Sequence, residues 1–273
     1  NIAIIGYGHL GEFLAEKIQK NEGYNIVAVW NRTASKIPKD LPAIESIDDL
    51  AKIDKKIHLA IEVAHPQIVK DYGVSILNHV DALFIGSPTA LADKSCENDI
   101  KGYLEKTKNK AVYVPSGALW GAQDIAKMGE LGTLKGLHIT MKKHPSSLKV
   151  LGKLLEACQN YGKDDKAKDP VVLYDGPVRE LCPLAPNNVN TMACAALAAS
   201  NLGFDKVQAT LVADKSLDAH VIDIIVDGPG GFKVSTNRHN PAKVGAVTGN
   251  ATYNSFWSSV KRARGRGDGL HLC

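Results

Sequence analysis

Residues 1–20, "NIAIIGYGHLGEFLAEKIQK", run a short apolar segment straight into glycines and then into residues with helical spacing, Phe13, Leu14, Lys17 and Ile18. That order reads as strand, tight turn, helix. A second apolar strand, "YNIVAVWNRT" at 24–33, follows at the distance a right-handed crossover between parallel strands needs. "KIHLAIEVA" at 56–64, "VDALFIGS" at 80–87 and "KAVYVPSG" at 110–117 repeat the theme between helical patterns. Apolar strands alternating with helices imply a parallel sheet covered on both faces.

Gly6, Gly8 and Gly11 have the spacing G-x-G-x-x-G. The first makes the turn, the second lets backbone approach a pyrophosphate, and the third allows close helix packing. Because the motif follows a strand, opens a helix and begins a βαβ unit, it points to a Rossmann dinucleotide-binding domain. His9 and Leu10 fall inside the loop and join the cofactor-binding candidates. The second strand ends in Asn31 and Arg32, where a site for NAD usually shows an acid for the ribose hydroxyl. A guanidinium can pair with a 2′-phosphate, so NADP is favoured over NAD, with either admitted. Loops at the carboxyl ends of the other strands should face the nicotinamide end: "EVAHPQ" with Ala64, "IGSPTALAD" with Ser87, and "PSGALWGAQDI" with Ala118 and Ala122. By itself the last reads better as a compact strand-to-helix turn than as a ligand loop, with Asp124 placed to orient a neighbour.

The chain has 273 residues, enough for two ordinary domains, and a formal net charge of only +4, which gives no reason to expect a nucleic-acid partner. Cys96, Cys158, Cys182, Cys194 and Cys273 are scattered without metal-ligand spacing, so reduced thiols and no metal site are expected. No apolar run approaches the roughly 20 residues that span a bilayer, and a cytoplasmic protein with no membrane partner is the expectation.

Near residue 135 the character changes. "LKGLHITMKKHPSSL" and "VVLYDGPVRELCPL" look like strands of a different sheet, and "QNYGKDDKAKDP" at 159–170 like a long surface loop. "PNNVNTMACAALAASNLGF" reads as a small-residue helix with Asn188 or Asn190 as N-cap and Gly203 as its stop. "KVQATLVAD" and "AHVIDIIVDG" are strands able to pair antiparallel in an open sheet. The closing stretch at 240–265 is mostly helix-like despite the internal Gly245 and Gly249. At the head of the "AHVIDIIVDG" strand, His220 shares a face with Ile222, Ile224 and Val226, which makes it half buried. It reads either as a core histidine or as a proton-handling group, with Asp218 or Asp223 able to oppose the effect of burial on its pKa, although the two-residue period points Asp223 to the other face.

Several motifs in order resemble the L-aspartate dehydrogenase family, including its animal aspartate dehydrogenase domain-containing members. "GYGHLG" is similar to the family's cofactor loop and "SPTALAD" to its Ala-Leu-Ala-Asp segment. "PSGALWGAQDI" resembles its Ser-Gly-Ala loop with one extra residue around Trp120, "PNNVNTMACAALA" its Asn-x-Asn helix start, and "ADKSLDAHVIDI" its histidine-bearing strand. The resemblance implies that His220 is the catalytic acid/base and that Ala122 and Asn190 line the dinucleotide and substrate pocket. It implies an α/β protein: a Rossmann domain at 1–132 and 238–273, and an α+β substrate and dimerisation domain with an open mixed sheet at 133–237. It further implies a homodimer, a site in the interdomain cleft, and NAD(P)-dependent deamination of L-aspartate to iminosuccinate, then oxaloacetate and ammonia, or the reverse. The resemblance makes Lys143 the substrate-binding candidate, although "MKKHPSS" departs from the family's Lys-Pro-Pro turn by placing His144 at the first proline. Asn188, Asn190 and His65 are further groups able to meet a carboxylate, the asparagines at a helix start where backbone N–H groups favour anions. Two alternatives are a related reductase of another amino or oxo acid and a non-catalytic dinucleotide-binding protein.

Overall fold

The computed structural model describes residues 1–246, 250–263 and 265–273. The opening strand β1 (Ile2–Ile5) is buried along its whole length, as a central parallel strand must be. It feeds α1 (His9–Gln19), β2 (Ile26–Trp30), β3 (Ile57–Glu62), α2 (Pro66–His79), β4 (Val80–Ile85), α3 (Lys94–Lys106) and β5 (Ala111–Val114). The five strands anticipated from the apolar segments therefore all form, and β2-β1-β3-β4-β5 pair in parallel. The direction of travel reverses between β1 and β3, the crevice where open α/β sheets hold ligands at their carboxyl ends.

The middle of the chain forms α4 (Ala122–Glu130), β6 (Gly136–Lys143), α5 (Lys153–Lys163), β7 (Val171–Pro177), α6 (Val178–Leu181), α7 (Asn190–Ala198), α8 (Gly203–Lys206), β8 (Gln208–Ala213), β9 (Ala219–Asp227) and β10 (Lys233–Pro241). Its sheet runs β10-β9-β6-β8-β7, mixed as expected, with β6 and β8 parallel and the other pairs antiparallel. The expected pairing of β8 with β9 does not occur. β6 lies between them, laddered to both, and the 214–218 connection crosses its end with Asp214 N–H donating to Lys143 O at 2.9 Å. Pairing on both edges favours the strand whose alternate residues Leu137, Ile139, Met141 and Lys143 are all buried.

Three local expectations are also corrected. Neither Asn188 nor Asn190 caps α7: Val189 takes that position, because the Asn188 side chain is drawn to the 147–149 segment and Asn190 is already helical. The helix stops at Ala198, while Gly203, at φ +61°, opens α8 instead. The first five residues of the polar 159–170 stretch are helical in α5, leaving 164–170 as the loop.

The chain closes with α9 (Asn250–Arg262) and β11 (Gly269–Leu272). Of the closing stretch read as helix-like, residues 247–249 and 264 lie outside the described residues. Phe256, Trp257 and Val260 of α9 are buried with β1, β2 and β4 residues, Phe256 packing on Phe84 at 5.1 Å between ring centres. Each such side chain contributes about 2 kcal/mol by leaving water. β11 extends the first sheet beyond β5, with Gly269 N–H donating to Lys110 O and Cys273 N–H to Val114 O.

Two compact units result, 1–115 with 255–271 and Cys273, and 116–254 with Leu272. These limits differ from a division at 132/133 and 237/238 for local reasons. α4 packs on α7 so closely that a Cβ on Gly129 would stand 2.7 Å from Ala198 O, and β10 stays laddered to β9 through Pro241. Among the described residues no helix is long and apolar enough to cross a membrane.

Candidate functional site

In the first unit the three motif glycines divide their work. Gly6 turns the chain at φ +110°, and a Cβ there would stand 2.7 Å from Ala64 N. A Cβ on Gly11 would stand 2.1 Å from Gly6 O, so this position is closed by packing of the loop on its own helix. Gly8 is different: nothing lies within 4 Å of its missing Cβ, and no side chain caps the helix that it starts. The protein itself has no use for a glycine at that point. A pyrophosphate that approaches the backbone and the free N–H groups of α1 does, which is the fit the motif predicts.

The neighbouring candidates hold this loop in several ways. Asn31 accepts from Tyr7 N–H at 3.0 Å through Oδ1 and donates to Thr33 O at 2.9 Å, tying the glycine loop to the end of β2. Arg32 beside it is exposed, as is His9, while Leu10 packs against the core. His65 is the N-cap of α2, its Nδ1 accepting from Gln67 N–H at 3.1 Å, so a helix start and not an anion accounts for it. Ala64 and Ser87 both bond to a residue that sequence reasoning missed, Glu62. This carboxylate is fully buried, accepts from Ala64 N–H at 2.8 Å, His65 N–H at 2.9 Å, Ser87 N–H at 3.1 Å and Ser87 Oγ at 3.1 Å, and burial pushes its pKa up to about 7. A charge closing the apolar run "IHLAIE" was the available signal.

The second unit gathers a separate cluster. His220 is 5% exposed, on the buried face with Ile222, Ile224 and Val226 as the two-residue period requires. Its Nε2 lies 2.9 Å from Ala246 O. A carbonyl oxygen only accepts, so this bond places the ring proton on Nε2 and leaves the lone pair on Nδ1. Burial, then the charge of Lys143, depress the imidazole to about 4 against the opposing bond to Ala246. Asp223 points to the other face, as its place in the two-residue period predicts, and pairs with Lys142 at 3.0 Å. The charged neighbour is a cation instead.

Lys143 is 4% exposed, and burial lowers its ammonium to about 8. Antiparallel register sets Lys142 opposite Val221, so the next residues, Lys143 and His220, face each other across β6 and β9. Behind them runs a chain of hydrogen bonds. Asn188 accepts from Lys149 N–H at 2.8 Å and donates to Ser147 O at 3.0 Å, and Ser147 Oγ accepts from Gly245 N–H at 3.1 Å, next to the Ala246 that holds His220. His144, in the proline position, caps the turn by accepting from Ser146 N–H at 3.2 Å. Elsewhere in this unit Ala118 lies in a turn with left-handed Gly117 and Gly121, Ala122 begins α4 just after it, Asp124 is an exposed partner of Lys127, and the buried Oδ1 of Asn190 has no hydrogen-bond partner among the described residues. An orphaned buried acceptor of that kind fits a ligand N–H.

Against known proteins, the chain is 50% identical to a zebrafish (Danio rerio) aspartate dehydrogenase domain-containing protein, over 100% of this chain and 98% of that one. The chain belongs to the aspartate dehydrogenase family. Residues 124–259 match the family model described as aspartate dehydrogenase, C-terminal, and residues 6–115 match the NAD binding domain of homoserine dehydrogenase. An L-aspartate dehydrogenase of Thermotoga maritima is 29% identical over 82% of this chain and 80% of its own. The crystal structure of aspartate dehydrogenase from that organism shares the fold, with a TM-score of 0.71 at 22% identity over 97% of both chains. In this family member the first unit is therefore a nicotinamide-dinucleotide domain, and the second carries the family's C-terminal domain with the His220 cluster.

Proposed function

We propose that this chain oxidises L-aspartate at Cα to iminosuccinate, which water converts to oxaloacetate and ammonia, and catalyses the reverse reductive amination. The observation that carries this reading is the His220 hydrogen bond to Ala246 O, which presents a neutral imidazole with Nδ1 as a proton acceptor beside the buried cation of Lys143. Family membership and the names of its relatives support the choice of substrate.

A dinucleotide held by the glycine loop supplies the hydride acceptor for Cα and accounts for the open space at Gly8. The chain's own residues do the rest. L-Aspartate arrives as an ammonium with two carboxylates, and Lys143 is charged below about pH 8, so its ammonium pairs with one of them. Burial holds the His220 pKa down first, and that pairing offsets the second cause, the charge of Lys143, so the basicity of His220 rises when substrate is present. Nδ1 of His220 then takes a proton from the ammonium, which frees the nitrogen lone pair needed to expel a hydride from Cα. After hydride loss Nδ1 releases that proton to solvent, takes one from the attacking water and returns it to the departing ammonia. Asn188 acts one step back, fixing the 147–149 segment that supports the cluster, and Asn190 offers to the bound ligand its Oδ1, which has no partner among the described residues.

Arg32, exposed at the end of β2, meets the 2′-phosphate of NADP in this reading, with NAD accepted more weakly. The working form is a homodimer. Steady-state assays with L-aspartate and a panel of other amino acids, using both dinucleotides, test the reading. Turnover of aspartate is expected, and His220→Ala should lower kcat by about 100-fold or more while dinucleotide affinity stays within about twofold. Turnover of another acid without aspartate would refute the substrate, and an unchanged kcat in the variant would refute the role of His220.

A further inference from the structure

We propose that Glu62 is a positioning residue of the dinucleotide site, a buried carboxylate that locks the loops after β3 and β4 against the glycine loop. The inference rests on the dinucleotide reading of the first unit. Glu62 ends β3, one residue before the segment that touches the motif. Burying a carboxylate is costly unless its oxygens are hydrogen-bonded. Here Oε1 takes Ala64 N–H, His65 N–H and the Ser87 hydroxyl, and Oε2 takes Ser87 N–H. Two donors come from the loop after β3 and two from the loop after β4.

The same segments have no slack against the glycine loop. Ala64 N is the atom that a Cβ on Gly6 would meet first, and a Cβ on Gly11 would lie 3.7 Å from the Val63 side chain. A Cβ on Gly86, just before Ser87, would stand 2.4 Å from Glu62 O and 3.0 Å from Val63 Cγ1. Segments packed this closely pass a displacement on to one another. Releasing either loop from the carboxylate therefore shifts the backbone that cradles the pyrophosphate, without removing any group that handles the substrate.

Glu62→Gln separates the two loops. The amide oxygen can keep the three donors on the Oε1 side, but its NH2 group then faces Ser87 N–H donor to donor. The carboxyl is already pushed up to about 7 by burial, so the neutral amide is compatible with the fold. The experiment is fluorescence titration of NADPH and NADH on purified wild type, Glu62→Gln, Ser87→Ala and the double variant, with thermal unfolding and aspartate kinetics in parallel. Glu62→Gln is expected to raise both dinucleotide Kd values by about tenfold or more, with kcat at saturating dinucleotide and KM for aspartate within about threefold of wild type. Ser87→Ala, which removes one donor only, should raise Kd by about two- to fivefold, and the double variant should bind no more weakly than Glu62→Gln alone. A role in stability alone would lower Tm and leave Kd in place, and that result overturns the proposal. So does an unchanged Kd in Ser87→Ala, the deciding variant if Glu62→Gln does not fold. Failure of the wild type to bind either dinucleotide would instead refute the dinucleotide reading, and this inference with it.

Discussion

Replacing Lys143 by methionine keeps the length and burial of the side chain and removes the positive charge that faces His220. In the wild type the imidazole sits at about 4, against 6.5 for an unperturbed ring, and burial is the larger of the two causes. Burial persists in the variant, so only the charge contribution is recovered. Two unit charges ~8 Å apart, a reach typical of cross-strand neighbours with long side chains, interact by about 2 kcal/mol at an effective dielectric constant of ~20, or about 1.5 pH units. His220 in Lys143→Met is therefore expected to titrate about 1 to 1.5 units higher. NMR titration of the His220 ring, assigned by its absence in His220→Gln, measures this directly. In kinetics, the acid limb of kcat/KM should move up by the same amount, and the alkaline limb near 8 set by Lys143 should vanish. Stability follows with a definite sign. The folded-state pKa is depressed, so as pH falls below 6.5 the unfolded chain takes up a proton that the folded chain refuses. Stability is thus fully present above 6.5 and is lost down to about pH 4, by about 3 kcal/mol in the wild type and roughly half that in the variant. A ring titration unchanged to within about 0.3 units would refute the coupling between Lys143 and His220.

Three further outcomes follow from the dinucleotide site. Gly8→Ala places its methyl in open space, so Tm should stay within about 2 °C while dinucleotide affinity falls by about tenfold or more. Gly11→Ala forces a methyl to 2.1 Å from Gly6 O and should cost about 3 kcal/mol of stability or prevent folding. Calorimetry with equilibrium binding checks both, and the reverse pattern would show that the loop does not receive a ligand at Gly8. Arg32→Ala should reduce the ratio of kcat/KM for NADP over NAD by about tenfold, and an unaltered ratio removes the 2′-phosphate contact.

The first sheet could be read from local pattern because each of its strands is an apolar run between helical segments, and such runs are stable only when buried on both faces. The motif glycines were legible for the same reason: their spacing expresses local backbone geometry. Periodicity likewise put His220 on the buried face of its strand. Strand order in the second sheet was not legible, since β8 and β9 are adjacent in sequence and nothing local says that β6 will come between them. That insertion sets Lys143 opposite His220 and replaces the expected carboxylate with a cation. Asn188 and Asn190 carry the residue type of a helix cap, yet one is taken by backbone 39 and 41 positions away and the other is left with a buried acceptor. Glu62 reads as the end of a strand until four donors from two loops converge on it. Sequence alone determined most of the strands, the buried face of the His220 strand and where a dinucleotide loop lies, because these depend on interactions within a few residues. Only the tertiary structure decided which charges and donors meet, because electrostatics and hydrogen bonding act through space between groups whose separation along the chain carries no information.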